Sequence, residues 1–208
     1  MRVKICGLTR IQDAKLALEL GATELGFIFA ASPRMISIET AKEMRSELPK
    51  EAKVFGVFVN EKVEKIIEIV KLVSLQGVQL HGQESPQEIA SLKQKCPDLL
   101  VMKAIGVNGN KLLLEPEKYW QCDSLIFDSA GSHFNPVQRS SFDFEINYSG
   151  NFYLAGGLTS KNILNKINKY QPFGIDLSSG VESSPGIKDS NLLNELFLKL
   201  KEAKCIPT

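Results

Sequence analysis

Eight short runs rich in β-branched and aromatic residues recur along this chain: VKIC (3–6), ELGFIF (24–29), VFGVFV (54–59), GVQL (77–80), LLVMKAI (99–105), SLIFD (124–128), NFYLA (151–155) and GIDL (174–177). Their starts lie about 21 to 30 residues apart, which is room for one βα unit each. Most of the intervals carry a helical pattern. From Glu61 to Val73, residues Val63, Ile66, Ile67, Ile69, Val70 and Val73 form an apolar face, opposite Glu61, Lys62, Glu64, Lys65 and Lys71. The last helix is expected from Ser190 to Ala203, with Leu192, Leu193, Leu196, Phe197 and Leu200 at helical spacing. Thr9 with Gln12 reads as a capping box, and Ser85-Pro86-Gln87-Glu88 reads as a second one with proline in the first turn.

Eight consecutive units favour a closed (β/α)8 barrel of parallel strands over an open doubly wound sheet, which usually has five or six. A single domain over residues 1–208 is expected. Its weakest units are the fifth, where Asn108 to Tyr119 has little helical pattern, and the sixth, where Ser129 to Ser141 is polar and irregular.

A chain of 208 residues buries roughly two-thirds of the surface its unfolded form exposes, so a core is expected without metals or bridges. Its 25 Lys+Arg against 24 Asp+Glu leave a net charge of +1 and no block of like charge, which argues against a nucleic-acid partner. Cys6, Cys96, Cys122 and Cys205 are scattered, and only His81 and His133 could join them as nitrogen ligands. Those spacings support neither a zinc site nor a disulfide framework, so the reading is of free thiols and no metal. The start, MRVKICGLTR, has no signal-peptide core, and no apolar run approaches a membrane span. A cytoplasmic protein, monomeric or homodimeric and without a membrane partner, is expected.

In such barrels the active site lies at the C-terminal ends of the strands. Those ends read Cys6-Gly7, Ser32-Pro33-Arg34, Asn60, His81-Gly82, Lys103, Asp128, Gly156-Gly157 and Ser178-Ser179-Gly180. Consecutive glycines let backbone approach a ligand, and N–H groups near a helix start hold anions, so the last two stretches fit a phosphate or else a turn and a cap. Asp128 ends an apolar strand, where desolvation suits a proton donor, though an aspartate there also serves as a loop cap. Arg34 offers a fork for a carboxylate or is a solvated loop cation. His81 fits an acid, a base or a structural hydrogen-bonding group. Cys6 is either core filler or, just ahead of a helix start, a thiol of lowered pKa. Lys4, two residues earlier, shares its face but lies one layer deeper, so the helix is the expected cause.

KICGLT (4–9), GFIFAASPRMIS (26–37), VFVNE (57–61), VQLHG (78–82), FDS (127–129), AGGL (155–158) and GIDLSSGVESSPGIKD (174–189) run in order through the chain and resemble the phosphoribosylanthranilate isomerase family. The resemblance implies a (β/α)8 barrel of tryptophan biosynthesis acting on a small phosphoribosyl substrate by an Amadori rearrangement that needs no metal or organic cofactor. It implies Asp128 as general acid, Cys6 as general base and Arg34 on the anthranilate carboxylate. Gly156, Gly157, Ser178, Ser179 and Gly180 would hold the phosphate, and His81 would line the pocket. After Asp128 the family's glycine-rich stretch is replaced by DSAGSHFNPVQRSSFDF, which bears on loop closure. Competing readings are another phosphosugar isomerase, for which the cysteine in place of a first aspartate speaks against, and a degenerate phosphate-binding barrel.

Overall fold

The computed structural model describes residues 1–108, 111–129, 145–146 and 148–207. The expected change of loop between 130 and 144, with Asn135 to Gln138 and His133, lies outside the described residues. Eight parallel strands form the frame: β1 (Arg2–Cys6), β2 (Glu24–Ile28), β3 (Lys53–Phe58), β4 (Gly77–Leu80), β5 (Leu100–Asn108), β6 (Ser124–Asp128), β7 (Phe152–Ala155) and β8 (Gly174–Leu177). Each pairs with its neighbours in sequence, and β8 pairs with β1, so the sheet closes on itself. All eight runs read from sequence are strands of this barrel, with ends displaced by a residue or two except at β5, which runs three residues further.

Closure buries both faces of each strand. On β1 the side chains of Val3 and Ile5 are fully buried on the helix side, while Lys4 and Cys6 alternate inward. Phe55, Met102, Ala104, Ile126, Tyr153 and Ala155 form a separate apolar cluster inside the barrel. At the base, the Tyr153 hydroxyl donates to Glu24 Oε1 at 3.0 Å.

Helices α1 (Ile11–Leu20), α2 (Ile38–Ser46), α3 (Val63–Val73), α4 (Pro86–Lys95), α5 (Ile163–Tyr170) and α6 (Ser190–Glu202) cover the outside. On α3 the buried residues are Ile66, Ile69 and Val73, each contributing about 1.5–3 kcal/mol on removal from water. The Ser85–Glu88 capping box forms as expected, with Pro86 opening α4. Helix α6 buries Leu193, Leu196, Phe197 and Leu200, and the Asp189 carboxylate caps its first turn.

The first helix departs from expectation. Its N-cap is Arg10 rather than Thr9, and no side chain caps it. Thr9 Oγ1 instead donates to the Gly186 carbonyl at 2.6 Å, so that hydroxyl ties the rim together rather than starting a helix. The fifth unit has no α-helix: β5 continues to Asn108, a short antiparallel strand (Lys111–Leu112) pairs with its end, and a 3-10 turn (Pro116–Tyr119) leads back to β6.

Candidate active site

Cys6 closes β1 and pairs in register with Gly26 of β2. A Cβ on Gly26 would come within 2.6 Å of the Cys6 sulfur, so the glycine makes the slot in which the thiol sits. Gly7 then turns the chain at a φ of +71°, where a side chain would be strained. Burial pushes the Cys6 thiol up from its ordinary value, against the opposing charge of Lys4 and, further down, of Lys188. The sequence expectation of a lowered pKa caused by the helix is therefore corrected on both counts. The helix begins only at Ile11, and the charge that most opposes the effect of burial is that of Lys4. Lys4 is a layer deeper along the backbone, yet its charge still acts on the thiol.

Lys4 is fully buried, and its ammonium donates to both oxygens of Asp176 on β8 at 3.0 Å and to Gln79 Oε1 on β4 at 2.6 Å. Burial opposes its charge, but Asp176 and Cys6 outweigh burial and hold it protonated. Burial pushes the Asp176 carboxyl upward. On the same barrel face, Gln79 Nε2 lies 2.9 Å from His81 Nδ1, and His81 Nε2 lies 3.3 Å from Asp128 Oδ2 at the end of β6. Cys6 and Asp128 thus stand at the two ends of one buried polar row that crosses the barrel beneath its mouth.

Arg34 follows β2. Its Nη2 donates to Glu182 Oε2 at 2.7 Å and its Nε to Glu182 Oε1 at 2.9 Å. Both bonds use one edge of the guanidinium, so the donors on Nη1 are not used by this pair. Glu182 also receives the Lys188 ammonium at 2.8 Å, and that ammonium reaches the carbonyl of Cys6 at 2.6 Å and that of Ser178 at 3.2 Å. One buried lysine therefore fixes the ends of β1 and β8 to each other. Burial would raise the Glu182 carboxyl, but the hydrogen bonds from Arg34 and Lys188 prevail and hold it below the usual range.

The two loops singled out as anion sites lie side by side. Gly156 and Gly157 have φ of +91° and +63°, and space beside Gly157 is open for at least 4 Å. Asn162 organises this turn, accepting from the Thr159 N–H at 2.9 Å and donating to the Gly157 carbonyl at 2.9 Å. Gly180 packs directly against the Leu158 carbonyl, so only glycine fits where the second loop meets the first. Ser179 is exposed, whereas the Ser178 hydroxyl is buried with no hydrogen-bond partner among the described residues. That hydroxyl lies beside Gly7, where an added Cβ would approach it at 2.9 Å, and a buried hydroxyl without a partner is uncommon.

The rim thus gathers Cys6, Arg34, His81, Asp128, Gly156, Gly157, Ser178, Ser179 and Gly180. Lys103 does not belong to it. Because β5 runs on to Asn108, Lys103 lies mid-strand, its ammonium donating to the carbonyls of Leu80, Gly82 and Ala104 and to Glu84 at 3.0 Å. Asn60 is likewise structural, its side chain accepting the Gln83 N–H. Gln79 and Asp176 had no place in the sequence reading, and Lys4 was set aside there as lying too deep. The available signal was a polar residue at an inward position of an otherwise apolar strand, two places before a rim residue in VKIC and in VQLH.

The family model for N-(5'-phosphoribosyl)anthranilate isomerase matches residues 3–199. N-(5'-Phosphoribosyl)anthranilate isomerase of Gloeothece citriformis is 38% identical over 98% of this chain and 96% of its own length. A crystal structure of phosphoribosyl anthranilate isomerase in complex with reduced 1-(o-carboxyphenylamino)-1-deoxyribulose 5-phosphate superposes with a TM-score of 0.81 at 34% identity, covering 99% of this chain and all of the other. The dimeric phosphoribosylanthranilate isomerase of Thermotoga maritima, solved as generated monomers, gives a TM-score of 0.78 at 35% identity, with 99% and 100% covered.

Proposed function

This chain belongs to the N-(5'-phosphoribosyl)anthranilate isomerase family, isomerases of tryptophan biosynthesis, and we propose that Asp128 and Cys6 perform the rearrangement as general acid and general base. The substrate is N-(5-phosphoribosyl)anthranilate, and the product is 1-(2-carboxyphenylamino)-1-deoxyribulose 5-phosphate. Asp128 gives its proton to the ribose ring oxygen as the C1–O bond breaks, and the nitrogen lone pair closes a C1=N bond. The Cys6 thiolate then takes the C2 proton. The C2–H electrons form C1=C2 and the C1=N electrons return to nitrogen; C1 then takes up a proton while the C2 hydroxyl gives up its own, which leaves the ketone at C2. General acid and base groups of this kind each contribute about 10²–10⁴-fold.

The observation that carries this reading is the buried Lys4 ammonium, on the inward face of β1 two residues before Cys6, joined through Gln79 and His81 to Asp128 on the same rim. A buried thiol without such a partner stays protonated and cannot act as a base. The Nη1 edge of Arg34 suits the anthranilate carboxylate, with Glu182 holding the opposite edge. The orphan Ser178 hydroxyl and the Gly156-Gly157 and Ser179-Gly180 turns suit the phosphate. The compound bound by the relative carries both a carboxyphenylamino group and a phosphate, which fits these two ends.

Complementation of a tryptophan auxotroph lacking this step tests the function. Growth with the wild-type chain, and none with Asp128→Asn produced at equal level, is expected. No growth with either, from folded soluble protein, would favour a phosphate-binding barrel without activity.

A further inference from the structure

The Gln79 amide has a fixed direction. An ammonium only donates, so the Lys4 contact at 2.6 Å identifies the Gln79 oxygen, and the atom facing His81 at 2.9 Å is the NH₂ nitrogen. That nitrogen also only donates, so His81 Nδ1 must accept. In an imidazole, the bond made at one nitrogen decides where the proton sits, which here is Nε2, the atom 3.3 Å from Asp128 Oδ2. Donation to Oδ2 makes that oxygen the acceptor, so an acid proton on Asp128 belongs on Oδ1. The chain of donors starts at an ammonium clamped by Asp176, and Gln79 and Asp176 are both buried, so water does not compete for the amide.

We propose that Gln79 is a positioning residue for the reaction: held by Lys4, it fixes His81 as the Nε2–H tautomer and thereby turns Oδ1 of Asp128 toward the substrate. The same amide joins the cation beside Cys6 to the carboxyl at the opposite side of the mouth. This rests on the reading of Asp128 as the acid, but its first test does not.

Nitrogen-15 spectra of the protein labelled at histidine, with His81 assigned against His133→Asn, report the tautomer directly. A protonated Nε2 and an unprotonated Nδ1 at His81 in the wild type are expected; a protonated Nδ1 would overturn the proposal. In Gln79→Glu, an isosteric change, the carboxylate cannot donate, and the spectrum is expected to show a protonated Nδ1. The same variant is expected to lose about tenfold to a hundredfold in kcat, the range that follows loss of groups orienting metal-bound histidines, with KM within about twofold. An unchanged kcat alongside the changed spectrum would overturn the positioning role. Full activity of Asp128→Asn with the wild-type tautomer retained would instead remove the acid assignment, which separates the two failures.

Discussion

Arg34 and Glu182, 148 positions apart in the chain, meet through one edge of the guanidinium, with Nη2 at 2.7 Å and Nε at 2.9 Å from the carboxylate. The carboxylate is nearly fully buried and is shared with Lys188, whose side chain has no exposure. The loop after β2 is thereby fastened to the turn after β8, and the pair fixes the orientation of the guanidinium.

Replacing Glu182 with Gln is expected to cost about 3 kcal/mol, because it leaves the Lys188 charge buried without a counter-charge. The stabilisation has a defined pH window. The folded carboxyl is held below the ordinary range, so the folded state binds its proton less readily than the unfolded chain, whose pKa is about 4.3. The contribution is complete above that value and is lost as pH falls through the folded one. Urea unfolding from pH 6 downward should show a steeper loss for the wild type than for Glu182→Gln.

Lys4→Met tests the cation at the base. Lys4 opposes the rise that burial imposes on the Cys6 thiol, so its removal raises that pKa further, each unit costing about tenfold in thiolate at neutral pH. Wild-type kcat/KM is expected to increase with pH as the thiol ionises, and the variant's rise should lie further to the alkaline side. Iodoacetamide modification of Cys6 as a function of pH measures the same shift without substrate. An unmoved midpoint would remove Lys4 from this role.

Ser178→Ala separates binding from stability. Its hydroxyl is buried without a described partner, and such a group costs about 1–3 kcal/mol. The substitution is therefore expected to leave the unliganded protein as stable or more stable, while KM rises several-fold if the hydroxyl serves the phosphate. Thermal unfolding with and without inorganic phosphate reads both effects.

Gly7→Ala should damage the rim at two points. An added Cβ would approach Arg34 Cδ at 2.6 Å and Ser178 Oγ at 2.9 Å, at a φ of +71° that costs about 1–2 kcal/mol for a side chain. A loss of stability of about that size, with a raised KM, is expected from denaturant titration and steady-state kinetics.

Much of this was legible in the sequence because it is local. Strand spacing gave the barrel, and Ser85-Pro86-Gln87-Glu88 gave the start of α4. Cys6, Asp128 and the glycine turns declared themselves by ending apolar runs. The remainder depends on contacts that spacing does not encode. Lys4, Gln79 and Asp176 sit mid-strand on three strands, and only closure of the barrel brings them together. Thr9 resembles a cap, but the hairpin carrying Gly186, 177 positions away, competes for its hydroxyl and wins. Lys103 was misplaced because β5 outlasts the apolar run that announced it.

Cys6 and Asp128 are proposed to exchange protons with the substrate. Turnover of freshly prepared N-(5-phosphoribosyl)anthranilate, measured for Cys6→Ser and Asp128→Asn with folding verified by thermal unfolding, tests it most directly. Each variant is expected to lose about 10²–10⁴-fold in kcat. Wild-type turnover by either would contradict the account.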